Sequence, residues 1–239
     1  MTVEDLAETL RVAAAWQGIP VNYSAIGKQL HLSAVAAKTR VQQLAQARLI
    51  RLLFPLETVG AGRPSSRTKV RKSPKLYLKG SARRFLSAAS TPADPEILFR
   101  SRMIQRVCSL ETARNRSSTF WYYGGYGKTH VELIAQTAVK RIGFVFLQKN
   151  RFNRWCWSYC RRIFMQGIIQ GAFVLYPGHR IFFAADRVVM VPAEEFFEHF
   201  RPWMNACLGA SRKLLLRMVR SYNSAHAELA LLTEPAHGG

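Results

Sequence analysis

Two stretches carry residue types suited to binding phosphate. Gly60–Leu78, GAGRPSSRTKVRKSPKLYL, holds Arg63, Arg67, Lys69, Arg71, Lys72 and Lys75 and no acid. Cations without counter-charges attract a polyanion, and such binding weakens steeply with salt. The run opens on glycine and proline, as a loop does, and closes on Lys75-Leu76-Tyr77-Leu78, a short strand. A solvated surface loop has the same composition. The second stretch is Gly124-Gly125-Tyr126-Gly127-Lys128-Thr129, which ends like a phosphate-cradling nucleotide loop. In that role Lys128 and Thr129 would meet the phosphates. The pattern requires a glycine where Tyr122 stands, so the cradle is incomplete. Read as a helix, His130–Arg141 favours a nucleotide site; read as a strand, it favours a plain glycine turn.

The cysteines offer little metal chemistry. Cys156 and Cys160 share a face if their segment is helical, but no nearby histidine or second cysteine pair completes a zinc set. Together with Cys108 and Cys207 they read as core thiols in a reducing cytosol.

The whole composition points the same way as the basic run. The chain has 239 residues, enough for two small domains. Apolar residues make up 49%, which indicates a globular chain rather than a disordered one. The 35 Lys and Arg against 14 Asp and Glu give a net charge of +21, a self-repulsion that a fold does not require. A nucleic acid partner accounts for it best. No apolar run is long enough to span a bilayer, and the acidic start MTVEDLAETL is unlike a signal peptide. The expectation is a cytoplasmic protein with no membrane partner and no cofactor.

Residues 3–17 have helical apolar spacing and stop at Gly18-Ile19-Pro20. Ser24 looks like the cap of a second helix through Ile26 and Leu30. Ser33 looks like the cap of a third, Ala34–Ala47, with Ala37, Val41 and Leu44 inward. Leu49–Phe54 reads as a strand stopped by Pro55. Helix, helix, turn, helix, strand, basic loop, strand is the order of a winged helix. In that arrangement the third helix offers Lys38, Arg40, Gln42 and Gln43 to base edges, and the basic loop touches the backbone. Residues 90–95 read as a linker. Beyond them come a helix over Glu96–Ala113, strands at Thr119–Tyr123, His130–Ala135 and Ile142–Leu147, and a helix over Asn153–Ile169. Three short strands between Ala172 and Val191 come next, then helices over Glu194–Phe200 and Ser211–Leu232.

Between Asn22 and Tyr77 the sequence resembles a known family. The matching words are Asn22-Tyr23-Ser24, Leu49-Ile50, Leu53-Phe54-Pro55 and, most specific, Lys72-Ser73-Pro74-Lys75-Leu76-Tyr77. The family is the C-terminal region of bacterial and archaeal AAA-type ATPases catalogued as domain of unknown function 4143. The resemblance covers about residues 10–197, weakens after 80, and lacks the family's preceding ATPase module. It implies an α/β (α+β) chain: a winged helix over 1–89, a restriction-endonuclease-like mixed sheet with flanking helices over 90–200, and a C-terminal helix and tail over 201–239. It also implies where a PD-(D/E)XK nuclease site would lie. Arg100 stands where a glutamate usually follows Leu98-Phe99. Glu132 takes the aspartate's place in Val131-Glu132-Leu133-Ile134. Phe146 replaces the second acid and Gln148 the lysine. Metal-dependent cleavage needs two or three carboxylates around a divalent ion, so the overlay describes a pseudoenzyme with no metal site.

A second basic surface remains in the C-terminal half. Lys149, Arg151, Arg154, Arg161 and Arg162 have Phe152, Trp155, Trp157 and Tyr159 interleaved. Aromatics among cations suit stacking on unpaired bases, or a buried helix face. The leading expectation is a non-catalytic nucleic-acid-binding subunit of a larger complex, with DNA favoured over RNA. The alternatives are an active metal-dependent nuclease or nucleotide hydrolase, and a protein–protein interaction subunit.

Overall fold

The computed structural model describes residues 2–56, 73–86, 94–124, 130–138, 140–148, 154–184, 187–209 and 212–233. The fold is of the mixed α/β, α+β type. The chain divides into two compact units. One comprises the residues up to Arg106 together with Phe120–Tyr122; the other comprises Val107–Thr119 and the residues from Tyr123 on.

The first unit contains α1 (Val3–Ala14), α2 (Tyr23–Gln29), α3 (Ala34–Gln46), β1 (Ile50–Pro55), β2 (Lys75–Leu78), a 3-10 helix over Gly80–Phe85, and the first part of α4 (Pro95–Arg114). Each of the first three helices begins on a side chain that accepts an orphan N–H. Thr2 and Asp5 form a reciprocal capping box on α1. Ser33 caps α3 as the sequence predicts, its Oγ accepting from Ala36 N at 3.1 Å. On α2 the cap is Asn22, whose Oδ1 accepts from Ala25 N at 3.0 Å, and not Ser24. Asparagine caps as well as serine does, and here it comes two residues earlier.

The helices stop by a shared device. His31 and Arg48 both take left-handed backbone, with φ of 54° and 58°. Leu32 N then donates to Gly27 O and Leu49 N to Leu44 O, closing the last turns. Apolar residues from all three helices and both strands, among them Leu10, Ile26, Val41, Leu44, Ile50 and Leu76, make one core. β1 and β2 pair antiparallel with Leu52 opposite Leu76. The other edge of β2 is also occupied. Gln17 and Pro20 form single bridges to Leu76 and Lys75, and Val21 N donates to Pro74 O at 2.9 Å. The outer edge of β2 is therefore partly covered by this segment.

The early turns of α4 stay with this unit, where the sequence places a boundary at 90. Ser101 Oγ and Gln105 Nε2 both donate to Leu78 O, at 3.3 and 3.4 Å. Phe54 and Pro55 of β1 pair in parallel with Trp121 and Tyr122 of β3 (Thr119–Gly124). These are long-range contacts, which linker composition at 90–95 does not reveal.

The second unit is built on the strand order β4-β5-β6-β8-β7. Its strands are β4 (His130–Thr137), β5 (Lys140–Phe146), β6 (Gly171–Tyr176), β7 (Phe182–Ala184) and β8 (Val188–Pro192). β4 and β5 are antiparallel. β5, β6 and β8 are parallel, with α5 (Arg154–Met165) in the β5–β6 crossover, and β7 returns antiparallel on β8. α6 (Ala193–Glu198) and α7 (Phe200–Leu208) pack on the sheet through an aromatic cluster. Phe173 lies 5.9 Å from Phe144, 4.8 Å from Phe196 and 6.3 Å from Trp203, centre to centre. α7 and α8 (Arg212–Thr233) thus belong to this unit and not to a separate C-terminal segment over 201–239. Gly171 is required where α7 meets β6, since an added Cβ would overlap the Cys207 sulfur.

Two substitutions in the first unit are expected to act in opposite directions. Arg48→Gly relieves left-handed strain and raises stability by about 1 kcal/mol. Gly27→Ala brings a Cβ to 2.6 Å from Leu32 O and lowers stability by about 1–3 kcal/mol. Urea unfolding of the two variants beside the parent chain checks both signs.

Candidate nucleic-acid interface

α3 has one face in the core and one in solvent. Ala37, Val41 and Leu44 are buried. Val35, Lys38, Thr39, Gln42 and Gln46 are exposed, Val35 to 76%. At about 100° per residue these five fall within one arc, with Lys38 and Gln42 one turn apart. Arg40 does not join them. Two residues turn the helix by about 200°, so Arg40 points away from Gln42 and toward α1. There it pairs with Asp5 at 3.0 Å. Asp5 has its pKa lowered, chiefly by its hydrogen bond to the Thr2 backbone, with Arg40 a smaller cause. Gln43 is half-buried. Of the base-reading set expected from sequence, Lys38 and Gln42 hold an accessible position and Arg40 is engaged inside the fold.

Lys75 is likewise turned inward. It is 6% exposed, with its Nζ 5.1 Å from the centre of the Tyr122 ring. The Tyr122 ring covers part of its side chain. Lys75 therefore contributes to packing, contrary to its assignment to the nucleic-acid-contacting loop. The Tyr122 hydroxyl donates to Ser73 O at 2.8 Å and fixes the ring beneath the cation. Arg51 stacks on Phe120 nearby, at 5.4 Å. Arg63, Arg67, Lys69, Arg71 and Lys72 lie outside the described residues, as do Lys149 and Arg151. Arg154 opens α5, but its side chain is outside the described set. Arg161 and Arg162 are exposed on α5, behind the buried Cys160 and Ile163.

The nucleotide-loop reading fails at the segment after the loop. Lys128 and Thr129 are outside the described residues, but His130–Thr137 is strand β4. A phosphate cradle needs its Lys-Thr to open a helix, whose N-terminal N–H groups face the phosphates.

Of the positions in the nuclease overlay, Glu132 and Phe146 sit on neighbouring strands, β4 and β5. Phe146, however, is fully buried. It comes two residues after Phe144 and so points to the same side of the sheet, where Phe144 meets Phe173 and Phe196. Glu132 is buried too, and Gln148 is half-buried beyond the end of β5. Arg100 belongs to the first unit and pairs with Glu96 one turn earlier on α4. Among the described residues, Glu195, Glu198 and His199 are the group close enough to share an ion, within 4.8 Å of one another. They lie at the end of α6, away from the overlaid positions in the chain, and His199 Nδ1 already meets Glu195 at 3.2 Å.

Sequence reasoning marked α8 only as a helix. Leu215 and Val219 are its buried residues, whereas Leu214 is 46% exposed. Lys213, Arg217 and Arg220 are exposed on the opposite side. Their spacing of four and three was the available signal.

A family model described as Domain of unknown function (DUF8612) matches residues 2–81. Nothing in that match links the chain to AAA-type ATPases. Comparison with curated proteins found no match, and comparison with solved structures found none. Among the described residues no helix is long and apolar enough to cross a membrane.

Three thiols are core groups. Cys108, Cys160 and Cys207 are free and buried, and burial pushes the Cys207 thiol up to about 12, with Arg187 opposing. The thiolate is the reactive form, so these groups are inert at neutral pH. In the folded chain at pH 8, iodoacetamide is expected to leave all three unlabelled. In denaturant it should label each, as read by site-resolved mass spectrometry. Rapid labelling of Cys207 in the folded chain would show that the α7–β6 contact opens.

Proposed function

We propose that this chain is a non-catalytic nucleic-acid-binding protein, that duplex DNA is its favoured target, and that it works as a subunit of a larger nucleoprotein assembly. In this reading the first unit is a winged helix and α3 is its groove-facing helix. One observation carries the proposal: α3 exposes Val35, Lys38, Thr39, Gln42 and Gln46 on a helix otherwise seated in the core. Amide and methyl groups suit adenine and the thymine methyl, and the lysine suits phosphate or guanine. The chain's net charge of +21 supplies the general attraction. The second unit, with its mixed sheet and α5 crossover, is consistent with a nuclease-like fold. A buried phenylalanine in place of a metal-binding acid argues against cleavage. Assembly into a complex and a cytoplasmic location belong to the same proposal.

The test is fluorescence anisotropy of labelled duplex DNA, single-stranded DNA and RNA across a salt series, with and without magnesium. Duplex should bind with a steep salt dependence and stay intact. Lys38→Ala should reduce the slope of log affinity against log salt by about 0.9, the value of one phosphate contact. Gln42→Ala should weaken binding to the preferred duplex by about 1–3 kcal/mol and poorer ones less. Magnesium-dependent cutting, or no binding at low salt, would overturn the reading.

A further inference from the structure

We propose that the outward face of α8 is a second nucleic-acid contact, which grips the sugar–phosphate backbone of a duplex without reading its sequence. The inference rests on the nucleic-acid reading above but uses a different unit and different residues.

The face is built by position. Lys213, Arg217 and Arg220 succeed one another by four and three residues, so their side chains fall within about 60° of arc. All three are exposed, as is Ser224 one turn further. Leu215 and Val219, on the opposite side, are buried at 0% and 7% exposure. The helix cannot roll to hide the cations. Asn223 clasps the backbone just before β7: its Nδ2 donates to Ile181 O at 3.0 Å, and its Oδ1 accepts from Ile181 N at 3.1 Å. Asn223 lies on the same side of α8 as Val219 and fixes the rotation of the helix.

The charge on this face is of one sign. From Arg212 to Ala227 the helix carries no acid. Among the described residues no ion pair involves Lys213, Arg217 or Arg220. Like charges three and four apart weaken a helix, so an ordinary solvated face would intersperse acids. A polyanion laid along the stripe turns that repulsion into attraction. From Lys213 to Arg220 the rise is about 10 Å, at 1.5 Å per residue. Four successive phosphates of one strand span about the same length of duplex axis, at about 3.4 Å per step. An anionic membrane is the other polyanion to consider. An interfacial helix inserts its apolar side into lipid, but Leu215 and Val219 of α8 are buried within the protein. That burial, not charge alone, favours nucleic acid over a membrane surface.

The test uses the full chain with Lys213→Gln, Arg217→Gln and Arg220→Gln combined, beside Arg217→Gln alone and the pair Lys38→Ala with Gln42→Ala. Affinity for duplexes of unrelated sequence is measured across a salt series, and sedimentation with phosphatidylserine vesicles is run in parallel. The triple variant is expected to lose about 2.7 from the salt slope, and the single variant about 0.9, equally on every duplex. Circular dichroism confirms that each variant is folded, and the single variant carries the test if the triple is not. An unchanged slope in the α8 variants, with binding lost in the α3 pair, would overturn this inference and leave the functional reading standing. Weakened binding in the α8 variants alone supports α8 and overturns the role of α3. Vesicle binding that depends on the α8 cations, with duplex binding unaffected, would overturn the nucleic-acid assignment of this face.

Discussion

Charge imbalance is the constraint that shapes this molecule. Fourteen acids stand against 35 lysines and arginines, so the acids used for structure leave few to neutralise the surface. Several described acids are committed locally. The Asp5 carboxylate accepts from the Thr2 N–H at the start of α1 and holds Arg40. Glu96 holds Arg100. Glu111, fully buried, takes two hydrogen bonds from Arg114 and one from the Ser118 hydroxyl, all at 2.8 Å. A buried carboxylate is tolerated only when matched this fully, and its bidentate partner is the geometry that best compensates desolvation. In the pairs to Arg40, Arg100 and Arg114, an acid ties an arginine to its own or a neighbouring helix. Among the described residues, Lys38, Lys213, Arg217 and Arg220 enter no such pair.

The same reasoning bears on Lys75, which ends the basic run yet is buried. A charge run reads as a surface because desolvating each charge is costly. Lys75 escapes that expectation. Its ammonium rests on the face of Tyr122, where a cation over an aromatic ring recovers part of its lost hydration. Stacking of Arg51 on Phe120 repeats the device within the first unit.

Much of the first unit was legible because local signals and tertiary structure agree there. The Ser33 cap, the 3.6-residue spacing of Ala37, Val41 and Leu44, and the alternating Lys75–Leu78 strand all appear where the sequence puts them. What stayed hidden depends on non-local contacts or on phase. Arg40 is near Gln42 in sequence and far from it in azimuth, a distinction available from helical period alone. The bridges from Gln17 and Pro20 to β2 join residues more than fifty apart and leave no local trace. In the second unit, His130–Thr137 has apolar residues compatible with either helix or strand, and only its pairing with β5 decides. α7 was missed between two predicted helices because its buried face, with Phe200, Trp203, Met204 and Cys207, is short and mixed with polar residues.

Phe146 bears most directly on whether the second unit can cut nucleic acid. A divalent ion needs carboxylates converging on a space that water and a phosphate can enter. The side of β5 that would supply one of them is filled with rings: Phe144 against Phe173 and Phe196, and Phe173 against Trp203. Replacing Phe146 with an acid would place a charge at a fully buried position on the same side of β5 as Phe144, which is costly unless it is paired. On the nuclease-like reading, loss of catalysis is therefore a property of the packed core and not of one substituted residue.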